Sequence, residues 1–373
     1  MGVSRHLGQL IAILAGLALA LGGQPPATPV TAARPATAGP PLLPMSEFPF
    51  MPPPPGCVAT PQSSTNVEAQ PINDFNTITS TLTISNAQPY IWNVTAFTAI
   101  SHTFSNDLNV FLMGPNESGV RNTLTTRNGN GDDNVFAGTL WSDLAPLGVT
   151  EASSVNNVAS PYLIPEGAMG KHYSHNPNGT WSLVVEDAGA DDTGQLNAWA
   201  VTVFTLPFPP LGTSQFPSKA VNQPITNTDT ITSGIVVSGA GTLLDNVTVN
   251  LVVPHSQSGE LSMTLWAPTG LTTTLTSGNG LTMTDLYNGV TFTDDPVGPF
   301  MGPVTDAAYM DGVSLGQVQP EGAMRHFAGT NPNGLWRLVI TDSGGTGTGT
   351  FVSWQLGIYT SHCDAAYLPF VSR

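Results

Sequence analysis

Asn176-Pro177-Asn178-Gly179-Thr180-Trp181-Ser182-Leu183-Val184-Val185-Glu186-Asp187 returns later in the chain as Asn331-Pro332-Asn333-Gly334-Leu335-Trp336-Arg337-Leu338-Val339-Ile340-Thr341-Asp342. The Asn-Pro-Asn-Gly turn, the Trp and the closing Asp all recur at an offset of 155, as do Pro165-Glu166-Gly167-Ala168-Met169 in Pro320-Glu321-Gly322-Ala323-Met324 and Trp199 in Trp354. Upstream the offset is 153. It relates Pro71-Ile72 to Pro224-Ile225, Thr77-Ile78-Thr79-Ser80 to Thr230-Ile231-Thr232-Ser233, His102 to His255, Leu108 to Leu261 and Pro115 to Pro268. A constant offset with one two-residue change in a loop is the mark of a duplicated domain. Solenoid units repeat every ~20–50 residues, so each of these much longer copies must hold a core of its own.

Within each copy the pattern is β. Leu82 and Ile84, Leu108-Val110-Leu112, Val247-Val249-Leu251-Val253 and Leu261-Met263-Leu265 alternate with polar residues, which buries one face of a strand and wets the other. Asn128-Gly129-Asn130-Gly131 and Ser277-Gly278-Asn279-Gly280 supply turns. No useful helical stripe occurs past the N-terminal segment. The expectation is an all-β protein of two tandem jelly-roll-like β-sandwich domains, at 63–207 and 221–361, joined by a linker at 208–220.

Outward from the duplication, Arg5 and His6 precede an apolar run, Leu10 to Leu21, of signal-peptide rather than membrane-span length. Residues 1–23 are expected as a signal peptide, which makes the protein secreted, with no membrane span in the mature chain. Residues 24–62 are expected as a Pro-rich linker, since the twelve prolines at 24–56 fix φ and remove amide donors. Nine Lys and Arg against 25 Asp and Glu leave a net charge of −16, which repels phosphate backbones and excludes nucleic acid as a natural partner. A cation such as calcium suits this surface better.

The repeated residues also resemble a known family. His102-Thr103-Phe104, Asp107-Leu108 and the strand running to Gly114-Pro115 are similar to the His-Thr-aromatic, Gly-Asp-Leu, Ser-Pro segment of the P (Homo B) domain. That domain follows the catalytic domain in kexin- and furin-type, subtilisin-like proteases. Asn178–Val185, Asp187 and Asp192-Thr193-Gly194-Gln195-Leu196-Asn197-Ala198-Trp199 look like its C-terminal signature. The second copy keeps the frame but departs at Glu260, where the family has Asp, and at Gly345–Gly349, where acidic residues are missing. The resemblance implies about eight strands per copy and a module that supports a protease without being one.

No catalyst is legible. Asp192-Thr193-Gly194 and Gly212-Thr213-Ser214 imitate subtilisin motifs, but no His lies between them. Asp192-Thr193-Gly194 and Asp342-Ser343-Gly344 imitate an aspartic-protease pair, yet Asp342 aligns with Asp187, so the duplication cannot bring these loops together. His172 and His175 read as exposed loop residues, and His102 and His255 as hydrogen-bonded organisers of adjacent turns. Calcium has its best case at Asp187, Asp191 and Asp192, three carboxylates on one turn-rich loop, against the alternative of a solvated turn in which Asp caps backbone amides. Asp132-Asp133 adds a second acidic loop. Trp181, Trp199, Trp336 and Trp354 repeat with the frame and are expected in the core; Trp92, Trp141 and Trp266 have no counterpart.

The expected function is therefore extracellular protein binding or stabilisation, with a secreted protease as partner. The alternative is a jelly-roll module that binds glycans. Cys57 and Cys363, alone in an exported chain, are candidates for a disulfide if the copies fold back side by side or flexible flanks span the gap; two separate thiols, free or paired between chains, are the alternative. The apolar end, Tyr367 to Arg373, reads either as a short C-terminal appendage (tail 362–373) or as a packed terminus.

Overall fold

Alternation turns into strands wherever the sequence carries it. The computed structural model describes residues 51–115, 121–297 and 302–363; the expected signal peptide, much of the Pro-rich stretch and the end of the tail lie outside them. The first sandwich runs through β1 (Thr60–Asn66), β2 (Gln70–Ile72), β3 (Thr77–Ile84), β4 (Tyr90–His102), β5 (Leu108–Met113), β6 (Asn122–Thr126), β7 (Thr139–Trp141), β8 (Tyr162–Leu163), β9 (Gly179–Asp187) and β10 (Gly194–Leu206). The second repeats it as β11 (Leu211–Gln215), β12 (Ser218–Ile225), β13 (Thr230–Val237), β14 (Leu244–Val252), β15 (Leu261–Trp266), β16 (Thr272–Ser277), β17 (Asn288–Phe292), β18 (Gln317–Val318), β19 (Gly334–Asp342) and β20 (Gly349–His362).

The larger sheet of the first sandwich has the order β1-β10-β4-β7-β8, with β2 also on β10; the smaller has β3-β9-β5-β6. The second has β11-β20-β14-β17-β18, with β12 on β20, over β13-β19-β15-β16. The chain is all-β: among the described residues helical structure is confined to short 3-10 turns, and no helix is long and apolar enough to cross a membrane. Ten strands per copy exceed the eight or so that the resemblance implies; β1 and β2, and their counterparts β11 and β12, lie outermost on β10 and β20.

The alternating residues face inward as their period demands. Leu261, Met263 and Leu265 are fully buried while Ser262 and Thr264 are half-exposed between them. Trp181 and Trp199 fill the first core, Trp336 and Trp354 the second. Each indole N–H finds an acceptor: Trp199 donates to Ser80 Oγ at 2.8 Å and Trp354 to Ser233 Oγ at 3.0 Å, so these large rings are buried without a stranded donor.

Two expectations need correction. Residues 208–220 are not a free linker: β11 pairs with the end of β20, and β12 begins at Ser218. The offset between copies also takes a third value. Glu166 N donates to Leu124 O as Glu321 N does to Leu275 O, which sets the offset at 151 through β6 and β7. Between equivalent residues of β5 and β6 the second copy is two residues shorter, and between those of β7 and β8 four longer. Their sum is the two-residue change that the flanking motifs report.

Both sandwiches belong to one compact unit. Between them Met51, Trp92, Leu206 and Ala328 form one buried cluster, and Ala145, Ile164, Ala168 and Ala323 another. Folded back in this way, the chain joins Cys57 to Cys363 in a disulfide with a Cα separation of 5.3 Å. The amide of Cys363 donates to Pro55 O beside it.

Candidate functional site

In each sandwich one histidine clips the two sheets together. β4, in the larger sheet, ends on His102; β9, in the smaller sheet, ends on Asp187. His102 Nε2 lies 3.1 Å from Asp187 Oδ2, and its Nδ1 faces the main chain of Phe104, 2.9 Å from the oxygen and 3.2 Å from the nitrogen. Asp187 Oδ1 accepts from Gly189 N at 3.0 Å, and Asn134 Oδ1 accepts from His102 N at 3.1 Å. The second sandwich repeats the device: His255 Nε2 lies 3.3 Å from Asp342 Oδ2, Nδ1 lies 2.8 Å from Gln257 O, and Asp342 Oδ1 accepts from Gly344 N at 3.0 Å. Gly194 and Gly349 have to be glycine, since a side chain there would run into the His102 or His255 ring.

A His–Asp pair is two-thirds of a hydrolytic triad, and the third member decides the matter. Both rings turn their remaining nitrogen to main chain rather than to a serine hydroxyl, and the side chains are 0% exposed. Neither pair can activate a nucleophile on a substrate. They hold the sheets together, and removing one partner of so buried a pair costs about 3–5 kcal/mol.

The pairing also redirects an expected cation ligand. Asp187 points inward to His102, while Asp191 is exposed, with its N–H donating to Asp74 Oδ2 at 2.9 Å, and Asp192 Oδ1 accepts from Thr103 Oγ1 at 2.8 Å. A calcium site built through Asp187 would have to take that carboxylate from the ring. Asp132 in the second acidic loop accepts from Ser154 Oγ at 2.6 Å.

Among the described residues, the set of three metal-ligating side chains with ligand atoms within 4.8 Å of one another is His255, Glu260 and Asp342, in the other sandwich. Calcium takes about six to eight oxygen ligands. Here an imidazole occupies one corner, and Glu260 is already engaged by Gly347 N at 2.8 Å and Thr346 Oγ1 at 3.3 Å. The set does not fit calcium. Its counterpart Asp107 is one methylene shorter and lies over Gly189, where burial first and Asp187 second push its carboxyl up.

His172 is not an exposed loop residue. It is fully buried with its ring 5.1 Å from Trp181, in the place that Phe327 takes at 5.2 Å from Trp336; His175 is exposed. Trp92 and Trp141 are core residues, whereas Trp266 is 40% exposed.

Buried glutamates escaped the sequence reading, although identical Pro-Glu-Gly-Ala-Met motifs carry them. Glu166 accepts from Thr126 N at 2.5 Å, Thr126 Oγ1 at 2.8 Å and Asn128 Nδ2 at 2.5 Å. Glu321 accepts from Ser277 N at 2.5 Å, Ser277 Oγ at 2.7 Å and Asn279 Nδ2. Burial pushes Glu166 up to about 7 despite these donors.

The proprotein convertase P-domain model matches residues 91–203 and 244–358, once per sandwich, and the chain belongs to that family. A calcium-dependent protease of Nostoc sp. is 31% identical over 138 residues, 37% of this chain but 17% of that protein. Among solved structures, the serine protease of Aeromonas sobria in complex with its chaperone overlaps 42% of this chain and 28% of its own at 18% identity and a TM-score of 0.29. A peptide-N(4)-(N-acetyl-β-D-glucosaminyl) asparagine amidase overlaps 81% of this chain and 96% of its own at 7% identity and a TM-score of 0.26. Overlaps this loose carry nothing further about the chain.

Proposed function

We propose that this P-domain protein is an exported, non-catalytic accessory that binds and steadies another extracellular protein, a serine-type protease being the expected partner. The observation that carries the reading is the double P-domain match, in which both copies keep their cores and their His–Asp clips. A module retained twice with its sheets clipped and its histidines sealed is suited to presenting a rigid surface, and its acidic charge gives that surface a sign. Affinity capture from the culture fluid of the native host tests this: a secreted serine protease should be recovered at physiological salt, and recovery of no protein counts against it. The purified chain should leave casein and dibasic peptides intact.

A second reading has one observation in its favour. On the outer face of the second sandwich Trp266 stands beside Arg337 of β19, with Leu335 nearby, and exposed aromatic rings suit the faces of sugars. Binding on a glycan array that Trp266→Ala abolishes would move the proposal to a glycan-binding module.

A further inference from the structure

The contact between the sandwiches sets carboxyl against carboxyl. Asp143 Oδ1 and Oδ2 accept from Met169 N and Gly170 N, each at 2.7 Å, capping the 3-10 turn Met169–His172. Asp294 does the same for Met324 N at 2.7 Å and Arg325 N at 2.8 Å, capping Met324–Phe327. These equivalent caps meet: a side chain on Gly170 would place its Cβ 2.9 Å from Asp294 Oδ2 and 2.6 Å from Arg325 Cδ.

On one flank, Glu166 of the first sandwich and Asp306 of the second share the hydroxyl of Thr126, at 2.8 and 3.4 Å, and Thr305 donates to Glu166 at 3.3 Å. The other flank is its counterpart. Glu151 accepts from Thr274 Oγ1 at 2.6 Å on β16, the strand whose end holds Glu321, and Glu151 and Asp306 stand at the same position in the two copies.

Arg325 is the cation that penetrates this contact, and its charge pulls Asp143 and Asp294 down against the larger effect of burial. Its guanidinium donates to Asp245 Oδ1 at 3.1 Å and to Trp92 O at 3.0 Å and lies 4.3 Å over the Tyr173 ring. His326 rests its Nδ1 3.3 Å from Asp143 O, and burial pushes its pKa down. Lys171 donates to Arg121 O at 3.2 Å, and His172 faces Asp143 from within the first sandwich. Among the described residues, phenols also border the carboxyls: Tyr162 beside Asp143, Tyr309 beside Asp306 and Glu321, and Tyr287 beside Glu321; Asp295 follows Asp294 in the chain and is exposed.

We propose that the contact between the sandwiches is a proton-dependent clasp, closed in mild acid and loosened as Asp143, Asp294, Glu166, Asp306 and Glu321 take on charge. Burial pushes Asp143 up to about 6 and Asp294 and Glu166 to about 7, with the facing carboxylate adding to the rise for Asp294 and Glu166. Asp306 and Glu321 shift the same way. A carboxyl raised in the folded state keeps its proton where the unfolded chain has lost its own. The stability it contributes is therefore present in acid and is lost as pH rises from about 4 to about 7. This is the reverse of the usual behaviour of a salt-bridged carboxylate.

The test uses the full chain with its disulfide intact, at fixed ionic strength. Its urea midpoint should fall between about pH 5 and about pH 8, and amides of Met169, Gly170, Met324 and Arg325 should lose exchange protection (corrected for intrinsic rate) before those of β9 and β19. Glu166→Gln/Glu321→Gln keeps every acceptor on the amide-facing oxygen, so it should fold and show a smaller fall than the wild type, the remainder coming from Asp143 and Asp294. A midpoint that is flat or rises with pH would overturn the clasp. So would a variant with the full wild-type fall, or interface and strand amides that lose protection together. Millimolar calcium that restores the wild-type midpoint at about pH 8, and not that of the variant, would replace the proton with a bridging cation and overturn the proposal too.

Discussion

The two sandwiches share a frame and differ mainly where they touch each other or the solvent. Both keep the tryptophan pair, the His–Asp clip and the aspartate cap. At the contact, however, the first has Gly170 where the second has Arg325, and in the core His172 stands for Phe327. On the outer sheets the first shows exposed Thr83 and Thr180 where the second shows Val236 and Leu335. Two identical faces would put two arginines, or none, against the facing carboxyls. The copies have diverged so that one arginine enters and one glycine makes room. The duplication has become a lock and key made from one original part.

The largest test of that arrangement is the covalent one. Cys57 and Cys363, 306 residues apart, tie the start of the first sandwich to the end of the second. Cys57→Ser/Cys363→Ser should cost on the order of 5 kcal/mol by the loop-entropy argument, read as a lowered urea midpoint. A midpoint unchanged by reduction would mean that the non-covalent contact alone holds the sandwiches together.

Next come the clips. Asp187→Asn and Asp342→Asn each leave a buried imidazole without its carboxylate and should each cost about 3–5 kcal/mol in denaturant unfolding. A cost confined to one copy would break the equivalence of the two frames. Smaller again is Gly170→Arg, which restores symmetry by sequence and destroys it by sterics, since the new Cβ meets Arg325 and Asp294. About 1–3 kcal/mol of overpacking is expected, relieved when Arg325→Gly is added. An additive double variant would refute the exchange of roles.

Much of this was legible from spacing. The alternation around Leu261-Met263-Leu265 and the recurrence of Trp181 in Trp336 are local or constant-offset signals, and each follows from strand geometry alone. Asp143 and Asp294 were not legible, because two opposite length changes hide their offset of 151 between stretches at 153 and 155. His172 was misread as exposed although the constant offset places it on Phe327, a core residue by type. The Asp187 role turned on a contact with His102, 85 residues earlier, and no periodicity reports such a contact.

The smallest expected effect has opposite signs in the two copies. Asp107 and Glu260 hold the same position beside the clip, but only the longer side chain reaches an amide, that of Gly347. Asp107 has Asp187 and Asp192 as like-charged neighbours, and its carboxyl is raised by burial first and Asp187 second. A raised carboxyl favours the fold in acid and opposes it once ionised. Asp107→Asn should therefore raise the urea midpoint slightly at neutral pH and leave it unchanged at a pH below the carboxylate range. Glu260→Gln should act the other way: the glutamine oxygen still accepts from Gly347 N, but a charge-assisted hydrogen bond becomes a neutral one, at a cost of about 0.5–1 kcal/mol. Measuring both in the full chain against pH separates the two causes, since the Asp107 gain should grow as pH rises. Equal signs would show that the extra methylene of Glu260 changes nothing, and that the two turns differ in sequence without differing in physics.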